Sequence, residues 1–198
     1  MGRAHSPYCM ELIDVISFPQ DNGELAAGIV MPLADHDLAS LLYHVRIVLT
    51  PEQIWCYMSQ ILKGIAHLDN EGIVQDVHAD LKPANIMVTR DHRVRVGDFG
   101  SSKRSSQTRS TLILCTPIYR APDVFFRSMR GTAMDVWSLE VIALELALGR
   151  VPGEGSNPLD IFERMIDRVG YLPVWGVVAR LLVYIGCFER RRPSKRCS

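Results

Sequence analysis

Asp80, Lys82, Asn85 and Asp98 stand out in this sequence as a set that suits one reaction. They lie in His78-Ala79-Asp80-Leu81-Lys82-Pro83-Ala84-Asn85 and in Asp98-Phe99-Gly100, which begins thirteen residues after the asparagine. Two carboxylates and an amide in this order can hold Mg²⁺ on a nucleoside triphosphate and orient a hydroxyl for phosphoryl transfer. Asp80 would accept the proton of the attacking hydroxyl, while Asn85 and Asp98 would supply oxygen ligands to the metal. Lys82, a compact cation, would neutralise charge on the transferred group. Taken singly, Asp-Phe-Gly is most often a turn and a lone loop aspartate most often a cap. The combination carries the signal.

The segments around these residues say how they would be held. Asn85 to Val88 and Arg93 to Val96 alternate around Thr89-Arg90-Asp91-His92, which predicts a small hairpin with Asn85 before it and Asp98 after it. Upstream, Thr50-Pro51-Glu52-Gln53 reads as a helix start, with Thr as N-cap and Pro at the first position. Ile54, Tyr57, Met58, Ile61, Leu62, Ile65 and Leu68 then recur at helical spacing, and Gly72 ends the helix. Glu11 to Phe18 and Leu25 to Met31 are apolar runs joined by Pro19-Gln20-Asp21-Asn22-Gly23, a second hairpin signal. Leu38 to Tyr43 suggests a short helix. The polar, Ser-rich stretch from Ser101 to Ser110 suggests a mobile loop. Helices are expected around Ala133 to Leu148, Pro158 to Val169 and Val177 to Phe188.

Composition narrows the class. A chain of 198 residues with 47% hydrophobic content fits one globular domain or a large part of one. Lys+Arg and Asp+Glu are both 22, so no bulk charge argues for nucleic acid or a membrane surface. Five cysteines without CxxC spacing read as reduced thiols in an intracellular protein, with no zinc or disulfide framework. The N-terminus lacks an apolar signal region, and the most apolar stretch, Val136 to Leu148, is too short to span a bilayer and carries Glu140 and Glu145. Gly2 and Ser6 match the pattern for N-myristoylation, although both are common residues.

Further stretches extend the set. Cys115-Thr116-Pro117-Ile118-Tyr119-Arg120-Ala121-Pro122-Asp123, then Asp135-Val136-Trp137-Ser138, then Arg192-Pro193-Ser194-Lys195-Arg196-Cys197-Ser198 follow in order. With the segments at 78–85 and 98–100, they resemble the core of eukaryotic serine/threonine protein kinases from about His5 to Ser198. The closest pattern is the cyclin-dependent and mitogen-activated group. The resemblance implies an α+β fold with a mostly helical large lobe and a remnant of the β-rich small lobe. Residues 1–34 would be the end of that small lobe and the hinge, and 35–198 the large lobe, cut near its C-terminal end.

It implies ATP and Mg²⁺ as cofactors and a protein Ser/Thr hydroxyl as substrate. Asp80, Lys82 and Thr116 would be catalytic, Thr116 by contacting both the lysine and the base. Met31 would guard the adenine pocket, Pro32-Leu33-Ala34 would form the hinge, Asp37 would meet the ribose and Met87 would floor the pocket. Lys82, Asn85 and Asp98 would complete the nucleotide site, the last two as metal ligands. His78 and Asp135 would be structural, Asp135 accepting backbone bonds from the catalytic loop. Asp123 and Arg196 would form an ion pair that clamps the fold. A regulatory protein partner is also implied, although the helix that binds a cyclin-like partner in the family has no counterpart here.

The sequence departs from the pattern in ways that bear on activity. No lysine precedes Lys63, and the only glycines before position 60 are Gly2, Gly23 and Gly28, so the phosphate-binding lysine and glycine-rich loop are missing. Ala79 replaces the arginine that reads an activation-loop phosphate, which makes any activity independent of phosphorylation at Thr111. Glu140 stands where glycine is usual. The expectation is therefore an N-terminally truncated kinase sequence, weak or inactive as this chain, with a pseudokinase or interaction module as the alternative. A small-molecule phosphotransferase, suggested by His-Ala-Asp, is opposed by Lys82-Pro83 and Tyr119-Arg120-Ala121-Pro122.

Overall fold

The computed structural model describes residues 6–70, 76–104, 116–121 and 133–153, together with Arg164. The chain opens with an antiparallel hairpin, β1 (Asp14–Pro19) and β2 (Leu25–Val30), in which Asp14 faces Val30 and Pro19 faces Leu25. Gly23 makes its turn at φ 81°, a conformation without cost for glycine. Beyond it, β3 (His36–Asp37) runs into α1 (Leu38–Ser40), which continues as a π-helical turn over Leu41–Val45. The helix expected from Leu38 to Tyr43 is thus present but widens midway, and Arg46 ends it in the left-handed region.

The longest helix, α2 (Pro51–Asn70), starts as its sequence predicts. Gln53 N–H donates to Thr50 Oγ1 at 3.3 Å, and Thr50 N–H donates back to Gln53 Oε1 at 2.9 Å, a reciprocal capping box. Ile54, Tyr57, Met58 and Ile61 are buried on one stripe. Leu62 is exposed, because it sits one position off that stripe, at the edge where the helix turns to solvent. Gly64 is needed where it stands. A Cβ there would lie 2.8 Å from the Tyr8 carbonyl oxygen, so only glycine lets the Tyr8–Met10 segment lie across the helix.

That segment runs beside β6, with Met10 N–H bonding Val96 O at 2.7 Å and Val96 N–H bonding Tyr8 O at 2.8 Å. β5 (Ile86–Val88) pairs with β6 (Val94–Val96) and, on its other edge, with β3. β4 (Asp76–Val77) pairs with β7 (Lys103–Arg104), so the polar stretch expected to be a loop begins with a short strand. A 16-residue helix, α3 (Ala133–Leu148), matches its expected bounds. Ile61 of α2, Ile86, Val94 and Val96 of the small sheet, and Ile142 of α3 are all buried in one core. The expected helices at 158–169 and 177–188, Gly72, Thr111, and the Asp123–Arg196 pair lie outside the described residues.

One expectation from composition is corrected. Cys9 is a free, buried thiol, but Cys56 is disulfide-bonded, its partner lying outside the described residues. Sequence spacing could not show this, since a pair distant in sequence is brought together only by the tertiary fold.

Candidate active site

The β5–β6 hairpin positions the acidic and amide groups. Ile86 faces Val96, so Asn85 and Gly97 meet at the open end, where Gly97 N–H bonds Asn85 O at 2.9 Å. Asp98 follows directly, at φ 55°, a left-handed conformation that aspartate tolerates better than most residues. The loop that carries Asp80 enters from the other side and is held by α3. Asp135 is buried and accepts the backbone N–H of His78 at 2.8 Å and of Ala79 at 3.0 Å. These bonds hold Ala79 at φ 65°. Burial pushes the Asp135 carboxyl upward, and the two N–H donors oppose that.

His78 is fully buried and supplies a second brace. Its Nε2 lies 2.9 Å from Gly97 O, and Asp80 N–H approaches its Nδ1 at 3.4 Å. Both contacts are satisfied by one neutral tautomer, with the proton on Nε2. His78 therefore links the Asp80 loop to the residue before Asp98.

Asp80 is the centre of a closed set of bonds. Its Oδ2 accepts from Lys82 Nζ at 2.7 Å and from Asn85 Nδ2 at 3.3 Å. Its Oδ1 accepts both the backbone N–H and the hydroxyl of Thr116, each at 3.1 Å. Lys82 Nζ also reaches Thr116 Oγ1 at 3.2 Å, and Asn85 Nδ2 donates to Asp80 O at 2.8 Å. Burial works against the Asp80 charge, but the Lys82 ammonium and the Thr116 donors outweigh it and hold the carboxyl below its ordinary range. The result is an anionic, oriented oxygen acceptor beside a cation.

Asp98 stands slightly apart. Its side chain is exposed, and among the described residues its one bond is from Gly100 N–H to Oδ1 at 3.3 Å. Because Asn85 spends its amide nitrogen on Asp80, its Oδ1 remains as the oxygen it can offer. No three His, Cys, Asp or Glu side chains converge among the described residues. A site of one amide oxygen and one carboxylate still suits Mg²⁺, a hard cation that commonly takes one or two carboxylates and completes its shell with water and phosphate oxygens.

The residues expected to meet a nucleotide base are only partly gathered. Pro32, Leu33, Ala34 and Met87 line a shallow depression with Met10, Thr89 and Arg95. Met31 does not line it and is exposed. Asp37 is engaged as the cap of α1, with Ser40 N–H at 2.8 Å and Ser40 Oγ at 2.5 Å from its carboxylate. Those Ser40 bonds hold the Asp37 carboxyl low against the opposing effect of burial. Among the described residues the hairpin supplies no triphosphate cradle. The hairpin glycines are spent elsewhere, Gly23 on the turn and Gly28 on packing, where a Cβ would meet Ile16 Cγ1 at 3.1 Å and Phe18 Cε1 at 3.2 Å.

A feature not anticipated from sequence lies behind the site. Glu145 of α3 is fully buried and accepts the hydroxyl of Tyr43 on one oxygen and that of Tyr119, at 2.7 Å, on the other. Ser138 Oγ donates to Tyr119 O at 2.8 Å. The carboxylate thus ties the 41–45 turn, the Thr116–Tyr119 segment and α3 together. Its signal in the sequence was a glutamate, one of two with Glu140, in the apolar stretch Val136 to Leu148.

Comparison with known proteins identifies the family. The protein kinase domain family model matches residues 2–177. The chain is 34% identical to mitogen-activated protein kinase 12 of Homo sapiens over 146 residues, 73% of this chain and 38% of that protein. It is 33% identical to the stress-activated protein kinase jnk-1 of Caenorhabditis elegans over 166 residues, 83% of this chain and 34% of that protein. It is also 34% identical over 111 residues to the cytokinesis protein sepH of Aspergillus terreus, 56% of this chain and 8% of that protein. The chain thus spans well under half the length of these relatives. With a partial α+β kinase fold and serine/threonine kinases as its relatives over most of its length, the chain belongs to the protein kinase family.

Proposed function

We propose that the site around Asp80 is the catalytic centre of an ATP-dependent serine/threonine protein kinase. Residues up to 34 are then the end of its small lobe and the hinge, and those from 35 its large lobe. The observation that carries this reading is the closed set of bonds joining Asp80, Lys82, Thr116 and Asn85. It presents a charged, oriented carboxylate to accept the proton of a serine or threonine hydroxyl. Lys82 is placed to offset charge on the phosphoryl group, and Thr116 keeps base and lysine in register. Asn85 and Asp98 are the residues that would hold Mg²⁺, which neutralises phosphate charge when bound. Met87 and the 32–34 segment would receive the base. Protein kinases in general use ATP and Mg²⁺ on protein substrates inside cells, and the relatives' printed names are of this kind.

The missing cradle favours a second reading, in which the large lobe serves as a binding surface without turnover. Phosphoryl transfer takes little from its enzyme beyond positioning and electrostatics. Losing one such donor commonly costs about 10²–10³ in rate. We therefore expect the 198-residue chain to phosphorylate a generic substrate weakly. Titration with a fluorescent ATP analogue, with and without Mg²⁺, separates the readings. Binding that requires Mg²⁺ and is lost in Asp98→Asn supports the catalytic reading; binding absent under both conditions overturns it.

A further inference from the structure

The depression beside residues 32–34 has few polar side chains. Met10, Met87 and the 32–34 segment give it apolar surface, and Thr89 and Arg95 are its polar members. Thr89 is committed, since its hydroxyl donates to Asp91 Oδ1 at 2.5 Å and accepts from Arg93 N–H at 3.2 Å. Arg95 is not. Its Nε–H is buried without a hydrogen-bond partner, and among the described residues no carboxylate pairs with it. The neighbouring arginines differ, Arg90 having Asp35 at 2.8 Å and Arg93 having Asp91 at 2.6 Å. A buried N–H without an acceptor costs free energy, so this donor calls for an acceptor that a ligand can bring.

Register fixes where that acceptor would lie. Arg95 pairs with Met87, which puts both side chains on one face of the β5–β6 hairpin, and Gly97 continues that face two residues on. Met10 and Met87 lie against Gly97, where a Cβ would stand 3.0 Å from Met10 Cγ and 3.6 Å from Met87 Cγ. Arg95 therefore borders the surface that would receive the base, and Asp98 follows three residues later, at most about 11 Å of chain away. Resting on that reading of the base site, we propose that Arg95 selects the nucleotide base and widens its class from adenine to 6-oxopurines, so that the chain takes GTP as well as ATP. An arginine edge offers two parallel N–H donors. Guanine presents O6 and N7 as adjacent acceptors, whereas adenine presents N7 beside an N6 amino donor. Guanine would satisfy Nε–H and one Nη–H together. Adenine would satisfy one and set a donor against the other. The apolar surround sharpens the contrast, because water does not compensate an unpaired donor there.

The test is binding, read by isothermal titration of the full 198-residue chain, with Mg²⁺, against ATP, GTP, ITP and 7-deaza-GTP. GTP should bind at least as tightly as ATP. ITP keeps O6 and N7 but lacks the 2-amino group, and should match GTP. The 7-deaza analogue lacks N7 and should bind about tenfold more weakly than GTP. Arg95→Met should cut GTP affinity about tenfold and ATP affinity by less than about threefold, with an unchanged circular dichroism spectrum. Arg95→Lys, a point cation without the planar fork, should fall with Arg95→Met rather than with wild type. If the variants fail to fold, the 7-deaza comparison on the wild-type chain decides alone. Equal affinity for GTP and 7-deaza-GTP, GTP binding about tenfold weaker than ATP, or an equal loss of both nucleotides in Arg95→Met overturns the role of Arg95 and leaves the base site standing. Absence of binding by every nucleotide overturns both.

Discussion

Thr116 lies 36 positions after Asp80, yet it gives the same carboxylate oxygen both its backbone N–H and its hydroxyl. Two donors from one residue fix the carboxylate plane as well as its distance. They also favour the charged form, because both bonds strengthen with negative charge on the acceptor.

Thr116→Ala removes the hydroxyl that Asp80 and Lys82 share but keeps the N–H. We expect a stability loss of about 1–2 kcal/mol and a rise in the Asp80 pKa, with Thr116→Ser near wild type. Asp80 titrates low when folded, so its contribution is present above the ordinary carboxylate pKa and fades as pH falls through the depressed value. Carbon NMR titration of the Asp80 carboxyl reads the shift directly. An unchanged pKa in Thr116→Ala would show that the N–H suffices.

Removing either tyrosine hydroxyl should expose the cost of the buried Glu145 carboxylate. Tyr119→Phe leaves one oxygen unpaired and should cost about 1–3 kcal/mol in urea denaturation. Tyr43→Phe should do likewise, and the double variant should depart from additivity, since both bonds end on one group.

Ala79 is held in the left-handed region by its own N–H and that of His78, both donating to Asp135. Ala79→Gly removes the Cβ clash and should stabilise the chain by about 1 kcal/mol, contrary to the usual effect of glycine. Asp135→Ala should do the opposite, costing about 3 kcal/mol or more by orphaning two N–H groups. Thermal unfolding of the two variants gives both signs.

Glu140 is buried on α3 with no cation paired to it among the described residues, and desolvation pushes its pKa up to about 7. The folded state then holds this proton more tightly than the unfolded state does. The charge penalty is therefore absent below the ordinary glutamate pKa, grows as pH rises towards 7, and is fully present above it. Glu140→Gln should gain about 1–2 kcal/mol at pH 8.5, a few degrees in Tm, and nothing at pH 4. Equal gains at both values would place the cause in packing.

Local chemistry was legible in the order of residues. The α2 N-terminus, the β5–β6 hairpin, the bounds of α3 and the closeness of Asp80, Lys82 and Asn85 all follow from caps, alternation and short spacing, which act within a few residues. Only the tertiary structure decided relationships between distant segments. It set Thr116 against Asp80, closed Glu145 on two tyrosines, left Met31 outside the base depression and put Cys56 in a disulfide. It also exposed Leu62, whose helical spacing placed it with the core. The reason is physical: periodicity reports which face of an element is apolar, whereas what covers that face depends on how elements pack. The β1–β2 hairpin marks the limit, since its alternation predicts strands but cannot say what they lie against.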